Sequence, residues 1–392
     1  MAKIEFCDRR FGVYVLGAGF AAPAGLPLAT ELWEEVRHRA DLATGRAAVH
    51  FREDLDNYLD YRSDADGSRF SDGDVQFEEF LAFLDVEHYL GLRGSDTWSS
   101  EGNETQVLIK TLIGEILSER TPTADCVPDL YLRFARALKP PDLVLTFNYY
   151  VLLERALEAA GVSYRLFPDR FEDVGDLSAT VDSSRDEVIV LKMHGSIDWF
   201  DRSAYERLED RRLKSGLRPG HGHPVFDHVD ELGVIPLTEG PRFAGDPLQK
   251  IYRITDVRRL YESRPLFRAT PVLLNPSSLK LIYSESFRSF WDGLGRAGVL
   301  NFALGIIGFS LPNQDEYVRQ VVYRLVKNYQ NLYWDEPALE HRKTPVVLVD
   351  FRKTPESKVA LLERYRFIRQ DRARFYWGGL DETALSILES GA

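Results

Sequence analysis

The stretch GVYVLGAGFAAPAGLP, residues 12–27, decides the fold class. Gly12 to Leu16 is a short apolar run suited to a strand, and Gly17-Ala18-Gly19 follows it at once. A glycine-rich turn after a first strand lets the backbone approach a ligand. The next helix N-terminus then offers unbonded N–H groups to a phosphate. Gly17, Ala18, Gly19 and Phe20 are therefore candidate cofactor-binding residues, and Ala22 completes the pattern G-x-G-x-x-A. The plainer reading is a tight turn. A dehydrogenase would continue into a second strand ending in an acidic residue about 20 positions on. Asp41 stands near that distance, but Glu31 to Ala40 is charged and helical in pattern. The dinucleotide reading survives this; an ordinary dehydrogenase is disfavoured.

Working outward, short apolar runs alternate with helical patterns, which predicts an α/β protein with a Rossmann-like, doubly wound, mainly parallel sheet. Further strands are expected at Asp142–Phe147, Glu187–Met193, Pro271–Leu274, Leu300–Ile307 and Pro345–Val349. Residues 30–138 read as a helical insertion. One helix begins near Thr30 and carries Trp33 and Val36. Another places Phe77, Phe80, Leu81 and Leu84 on one face, and a third follows Leu108, Leu112 and Ile116. Ser63–Asp74 and Arg93–Asn103 are rich in Gly, Ser and Asp and read as loops. Asp315–Tyr329 is an amphipathic helix. A loop-rich module is expected at about 201–265, with a helix-like segment after Ser357. No internal repeat is visible, and residues 1–392 read as one catalytic domain.

Three more motifs stand at carboxyl ends of these strands, where open α/β sheets bind ligands. Thr146-Phe147-Asn148-Tyr149 offers an amide with both a donor and an acceptor, suited to a ribose hydroxyl or a water. Its bland reading is a helix N-cap. Lys192-Met193-His194-Gly195-Ser196 offers a general base that works near neutral pH, with Gly195 permitting close ligand approach. Its bland reading is a core histidine bonded to backbone. Gly308-Phe309-Ser310-Leu311 offers small and polar groups to a sugar or phosphate, with Asp315 opening the next helix; the bland reading is a strand–helix turn.

Together, in this order, the four motifs resemble the sirtuin family from Gly17 to about Phe351, interrupted by the insertion. Gly25-Leu26-Pro27 stands where that family has Gly-Ile-Pro, TFN places Asn148, HG places His194, and Gly308–Leu311 matches its Gly-Thr-Ser-Leu step. PVLLNPSSL, residues 271–279, is similar to another of its stretches, and Pro345–Asp350 sits where the family contacts adenosine. The resemblance implies catalytic roles for Asn148 and His194. It implies NAD binding by Gly17, Ala18, Gly19, Phe20, Gly308, Ser310, Asp315 and Asp350. The departures matter. Ala21 replaces the usual Ser, Leu28-Ala29-Thr30 replaces Asp-Phe-Arg, and two cysteines, Cys7 and Cys126, cannot make the four-cysteine zinc ribbon of lysine deacylases. The TFNYY and IGFSLPNQDEY variants instead resemble the bacterial sirtuin-like effectors of antiphage defence. That resemblance implies hydrolysis of NAD to nicotinamide and ADP-ribose without a metal. NAD-dependent lysine deacylation and a non-catalytic NAD or ADP-ribose sensor are the alternatives. It further implies a homo-oligomer switched by a partner such as a HerA-type DNA-translocating ATPase or a short Argonaute, with the insertion as contact surface or gate.

Composition narrows the rest. The chain has 392 residues, 44% hydrophobic, with net charge −12. An acidic chain disfavours direct nucleic-acid binding, which draws most of its affinity from phosphate neutralisation. The Arg202–Arg218 stretch is interleaved with Glu206, Glu209 and Asp210 and reads as a solvated face. No apolar run approaches the ~20 residues of a membrane span. Met1–Arg10 has charges without an apolar core, so a cytoplasmic protein is expected. His221, His223 and His228 with Asp227 form an unspecific spacing, and no metal is expected there.

Overall fold

The computed structural model describes residues 11–92, 102–172, 179–218, 222–263, 269–275, 285–335 and 343–390. Three strands open the fold: β1 (Gly12–Leu16), β2 (Leu143–Thr146) and β3 (Tyr164–Arg165). A short hairpin, β4 (Arg170–Glu172) and β5 (Thr180–Asp182), precedes β6 (Val188–Lys192). Then come β7 (Trp199–Asp201), β8 (Val234–Pro236) and β9 (Ile251–Ile254), followed by β10 (Ala303–Ile307), β11 (Val346–Val349) and β12 (Ala373–Tyr376).

Seven strands form one sheet in the order β12-β11-β10-β1-β2-β6-β3, every pairing parallel. β1 and β10 are buried at every residue, as expected of strands covered by helices on both faces. From β1 the chain builds towards β2 and β6, then returns to add β10, β11 and β12 on the other side. The order therefore reverses between β1 and β10. In doubly wound sheets, that reversal opens a crevice at the carboxyl ends of the strands. This is the Rossmann-like arrangement.

Among the described residues five α-helices stand between β1 and β2: α1 (Ala29–Leu42), α2 (Arg46–Asp66), α3 (Phe77–Leu90), α4 (Glu104–Arg120) and α5 (Asp129–Ala137). Aromatic side chains bind the first three together: Trp33 stacks on Phe77 at 5.2 Å and meets Phe80 at 5.5 Å and Phe51 at 6.2 Å. Phe77, Phe80, Leu81 and Leu84 are all buried, the face their spacing predicts. In α4 the buried set is Ile109, Leu112, Ile113, Ile116 and Leu117, and Leu108 is only partly buried. α1 starts one residue before Thr30, with the Leu28 N–H donating to the Glu31 carboxylate at 2.9 Å.

Other differences have local causes. α2 runs to Asp66, through the start of the expected loop, until Gly67 ends it at φ 64°. The expected strand at Pro271–Leu274 is a single bridge between Leu273 and Gly195. The run from Leu300 becomes a strand only at Ala303, because Leu300 faces outward and the Asn301 amide donates to the Ala303 carbonyl. Residues 201–263 hold more regular structure than a loop-rich module would. The helices Arg202–Lys214 and Val257–Ser263 accompany the antiparallel sheet β7-β9-β8, with a small core of Phe200, Val225, Phe226, Leu232, Ile254 and Leu260. Arg202 pairs with Glu206, and Arg212 with Glu209, along the first of these helices.

Candidate active site

Each of β1, β2, β6 and β10 ends in one of the four motifs, and two of the loops interlock. A side chain on Gly17 would lie 2.4 Å from the Gly308 carbonyl oxygen, and one on Gly308 would lie 2.3 Å from Gly19 backbone. Gly308 also has φ 60°, which L side chains rarely adopt. The Gly19 N–H donates to the Gly308 carbonyl at 2.9 Å. The glycines are thus needed for loop-against-loop contact, which brings the two sides of the reversal together. At Gly195, φ 77°, the side-chain space is taken by the Val272 carbonyl 2.0 Å away, so that close approach is also filled by backbone.

Asn148 is buried just beyond β2. Its Nδ2 donates to the Gly17 carbonyl at 3.0 Å, which ties the ends of β2 and β1. The acceptor Oδ1 lies on the other branch of the amide. Asn148 does not cap a helix: the next one, α6 (Leu152–Ala160), has Val151 as its N-cap.

His194 is buried just beyond β6 and is held by a carboxylate. Its Nε2 lies 2.9 Å from Oδ2 of Asp315, which is fully buried. Asp315 does two things at once. It is the N-cap of the helix Glu316–Asn331, its Oδ1 accepting from the Val318 N–H at 3.3 Å, and it receives the imidazole. An ionised Asp315 makes Nε2 the protonated nitrogen, so the acceptor lone pair sits on the other ring nitrogen. His194 thus forms a carboxylate–imidazole pair. Asp315, expected against the cofactor, is paired with His194.

Aromatic rings wall this pair. Phe147 stands edge-on to His194 at 5.2 Å and stacks on Phe309 at 4.7 Å. Tyr149 lies 6.2 Å from the imidazole, and its hydroxyl donates to the Leu274 carbonyl at 2.8 Å. Burial holds the Tyr149 hydroxyl well above its ordinary pKa, with Asp315, Glu78 and Asp85 adding to the shift. Two of those carboxylates belong to α3, so the helical insertion reaches the site. Gln314, next to Asp315, donates to Glu79 at 3.2 Å, and Asn275 donates to Asp85 at 2.8 Å.

The remaining candidates lie apart from this pair. The Phe20 ring is buried against Tyr131 and Phe134, at 5.3 and 5.1 Å, and its carbonyl accepts from the Tyr131 hydroxyl. Its side chain belongs to the core rather than to a ligand. Ala18 and Gly19 are partly exposed at the crevice. Ser310 is half-buried on the loop after β10, where its carbonyl accepts from Arg364. Asp350 follows β11; burial raises its pKa, and the Arg352 guanidinium, 2.9 Å away, opposes that. Sequence reasoning missed Arg352 and Arg364, which no motif marks. His221 lies outside the described residues. His223 Nδ1 accepts from the Val225 and Phe226 N–H groups in a local turn, and His228 lies 3.7 Å from Glu231. Among the described residues no group of three potential ligands is placed to hold a metal ion. No helix among them is long and apolar enough to cross a membrane.

No family model matches the chain, and no curated protein matches it. A solved structure from work on "The Structural basis of Sirtuin Substrate Affinity" aligns with 98% of this chain and 96% of that chain, at 12% identity and a TM-score of 0.35. A likeness at that level adds nothing to what the strand order already shows.

Proposed function

We propose that this chain is a NAD glycohydrolase. The carrying observation is the buried His194–Asp315 pair, set with Asn148 around the crevice where the strand order reverses. In the reaction, the bond between ribose C1′ and the nicotinamide nitrogen breaks. Nicotinamide leaves as a neutral base with the bonding electron pair, so no Lewis acid is needed. A water oxygen bonds to C1′, and its proton passes to His194. Positive charge develops on the ribose, and the imidazolium forming at His194 is stabilised by Asp315. General-base help of this kind contributes about 10²–10⁴-fold. Asn148, fixed by Gly17, orients the ribose or the water. Gly17–Gly19, Gly308 and Ser310 line the path of the pyrophosphate, and Asp350 lies towards the adenosine.

On this reading the chain depletes NAD in antiphage defence, acting as a homo-oligomer switched by a nucleic-acid-sensing partner of the HerA-type ATPase or short Argonaute kind. The insertion supports this. Tyr61 on α2, and Val86, Tyr89, Leu90 and Leu92 at and just beyond the end of α3, the helix that also reaches the site, are exposed apolar residues. Purified protein incubated with NAD, with products resolved by chromatography, tests the reaction. Nicotinamide and ADP-ribose are expected without any acylated peptide; intact NAD, with and without the partner, refutes it. A dilution series followed by light scattering and turnover tests assembly, and a fully active monomer refutes that.

A further inference from the structure

Lys192 opens the motif that runs to Ser196, and the proposed reaction gives it no part. It is the last residue of β6 and is fully buried. Lysine is almost never buried to that extent unless paired. Its partner is Glu154, in the first turn of α6 and also buried, with Nζ 2.6 Å from Oε1. Nζ also donates to the Tyr150 carbonyl at 2.6 Å.

The position of that carbonyl gives the bond its meaning. β2 and β6 run parallel with Thr146 opposite Lys192. Asn148 therefore stands two residues beyond one strand end, and His194 two beyond the other. Tyr149 and Tyr150 lead from Asn148 to Val151, the N-cap of α6. Helical bonding is under way at Val151, whose carbonyl accepts from Arg155 at 3.1 Å; Tyr150 precedes it. The Tyr149 carbonyl is held from the same side as that of Tyr150, by the Ser196 hydroxyl at 3.1 Å and the Ile197 N–H at 3.0 Å. At the strand ends, the Met193 N–H donates to the Thr146 carbonyl at 2.9 Å. The segment carrying Asn148 is thus tied to the segment carrying His194 both before and after the two candidate residues.

Packing alone does not call for a lysine here. Apolar residues of similar volume often replace a buried ion pair at no loss of stability, because desolvation of the pair offsets its attraction. An apolar side chain has no donor for the buried Tyr150 carbonyl, however, and so cannot fix where that segment lies. Misplacing a reacting group by ~1 Å costs up to about 10²-fold in rate.

We propose that Lys192, with Ser196 beside it, is a positioning residue. From the His194 segment the two side chains hold the carbonyls of Tyr150 and Tyr149, and so set the Asn148 amide relative to the imidazole. This rests on the glycohydrolase reading for the reaction that the spacing serves.

The test is the double variant Lys192→Met with Glu154→Leu in the full chain, which removes the tether without stranding a buried charge. Its urea midpoint should stay near wild type. Hydrogen exchange read by mass spectrometry should quicken about tenfold or more in peptides spanning 147–151, and not in peptides from β11. With NAD, kcat should fall about tenfold to 10²-fold while KM stays within about threefold. Ser196→Ala removes one bond of the seam and no charge, and serves should the double variant not fold; the same peptides should exchange faster and kcat fall about threefold. Unchanged exchange in the folded variants overturns the proposal, as does a loss of activity that only follows a lowered urea midpoint. Wild-type protein that cleaves no NAD, with exchange quickened in the variant, refutes the glycohydrolase reading and leaves the tether standing. Wild-type protein that cleaves NAD, with variants that cleave it within about twofold as fast, keeps that reading and removes the positioning role.

Discussion

At the amino ends of β1, β2 and β6, Phe11, Leu143 and Ile189 border a cavity of about 800 Å³. At the carboxyl ends of the same strands, Gly17, Asn148 and His194 converge with Asp315 and no comparable void is needed to see the chemistry. A second cavity, of about 500 Å³, lies between α5 and the helix Glu382–Glu389, lined by Tyr14, Phe134 and Leu385 and closed at its rim by Arg133 with Glu382 and Glu389. Both cavities are spaces left where helices and loops meet the sheet. Room does not make a site; buried polar groups with convergent partners do, because each would be costly to bury without a purpose or a partner. The 800 Å³ cavity and the Asn148–His194–Asp315 groups stand at opposite ends of the same strands.

The sharpest way to break that contrast is to disable the pair while keeping its shape. Asp315→Asn preserves volume and remains a good N-cap, but one amide oxygen replaces two carboxylate acceptors, so stability should fall by about 1–3 kcal/mol. Turnover should fall by about 10²-fold or more, because the amide cannot stabilise an imidazolium. His194→Ala and Asn148→Ala should lose at least as much. Circular dichroism establishes folding and NAD loss gives the rate; an Asp315→Asn protein with near wild-type turnover would sink the assignment.

The interlocked loops give the next effect. Gly17→Ala drives a Cβ into the Gly308 and Phe309 backbone, an overpacking that costs about 1–3 kcal/mol. Gly25→Ala, at φ 80° with open space around it, strains only the local backbone. Urea unfolding of the two variants separates loop packing from turn strain. A Gly17→Ala protein as stable as wild type would show that the loops are not in contact.

A smaller effect should appear with pH at Asp350. Burial raises its folded pKa above the ordinary 3.8, so the folded state holds that proton more tightly than the unfolded chain. The contribution to stability is complete below 3.8 and is lost as pH rises through the raised folded value. Asp350→Asn should therefore be relatively more stable at neutral pH than at pH 3, compared with wild type, in paired thermal melts. An unchanged difference would show that Arg352 fully offsets burial. Least of all should change at the amino-end cavity: Leu300→Ser, on a half-exposed lining residue, should leave turnover within about twofold and stability within about 0.5 kcal/mol. A large loss of turnover there would move the site to the other end of the sheet.

The strands were readable because each is a short apolar run with a turn after it. Gly12–Leu16 matches residue for residue, and β2, β6 and β11 differ from expectation by a residue at their ends. Tyr164–Arg165 and Ala373–Tyr376 escaped, since edge strands this short and partly exposed carry no apolar run. Asn148 and His194 were visible as polar residues at strand ends. What they do was not. The Asn148 amide finds its partner 131 residues away, and Asp315 reads locally as nothing but a helix cap. Phe20 was misjudged by its neighbours: it follows the glycines in sequence, but an apolar ring at the start of a turn is drawn into the core.

Asp315 also dates the moment at which this protein can act. During synthesis the glycine loop, Asn148 and His194 all leave the ribosome well before the helix that begins at Glu316. Until that helix docks, the imidazole has neither the carboxylate that sets its tautomer nor the loop of β10 that completes the crevice. A nascent or truncated chain ending before Asp315 holds the recognisable motifs and none of the assembled machinery. For a protein whose proposed reaction consumes a nucleotide the cell cannot do without, the order of residues along the chain is itself a safeguard.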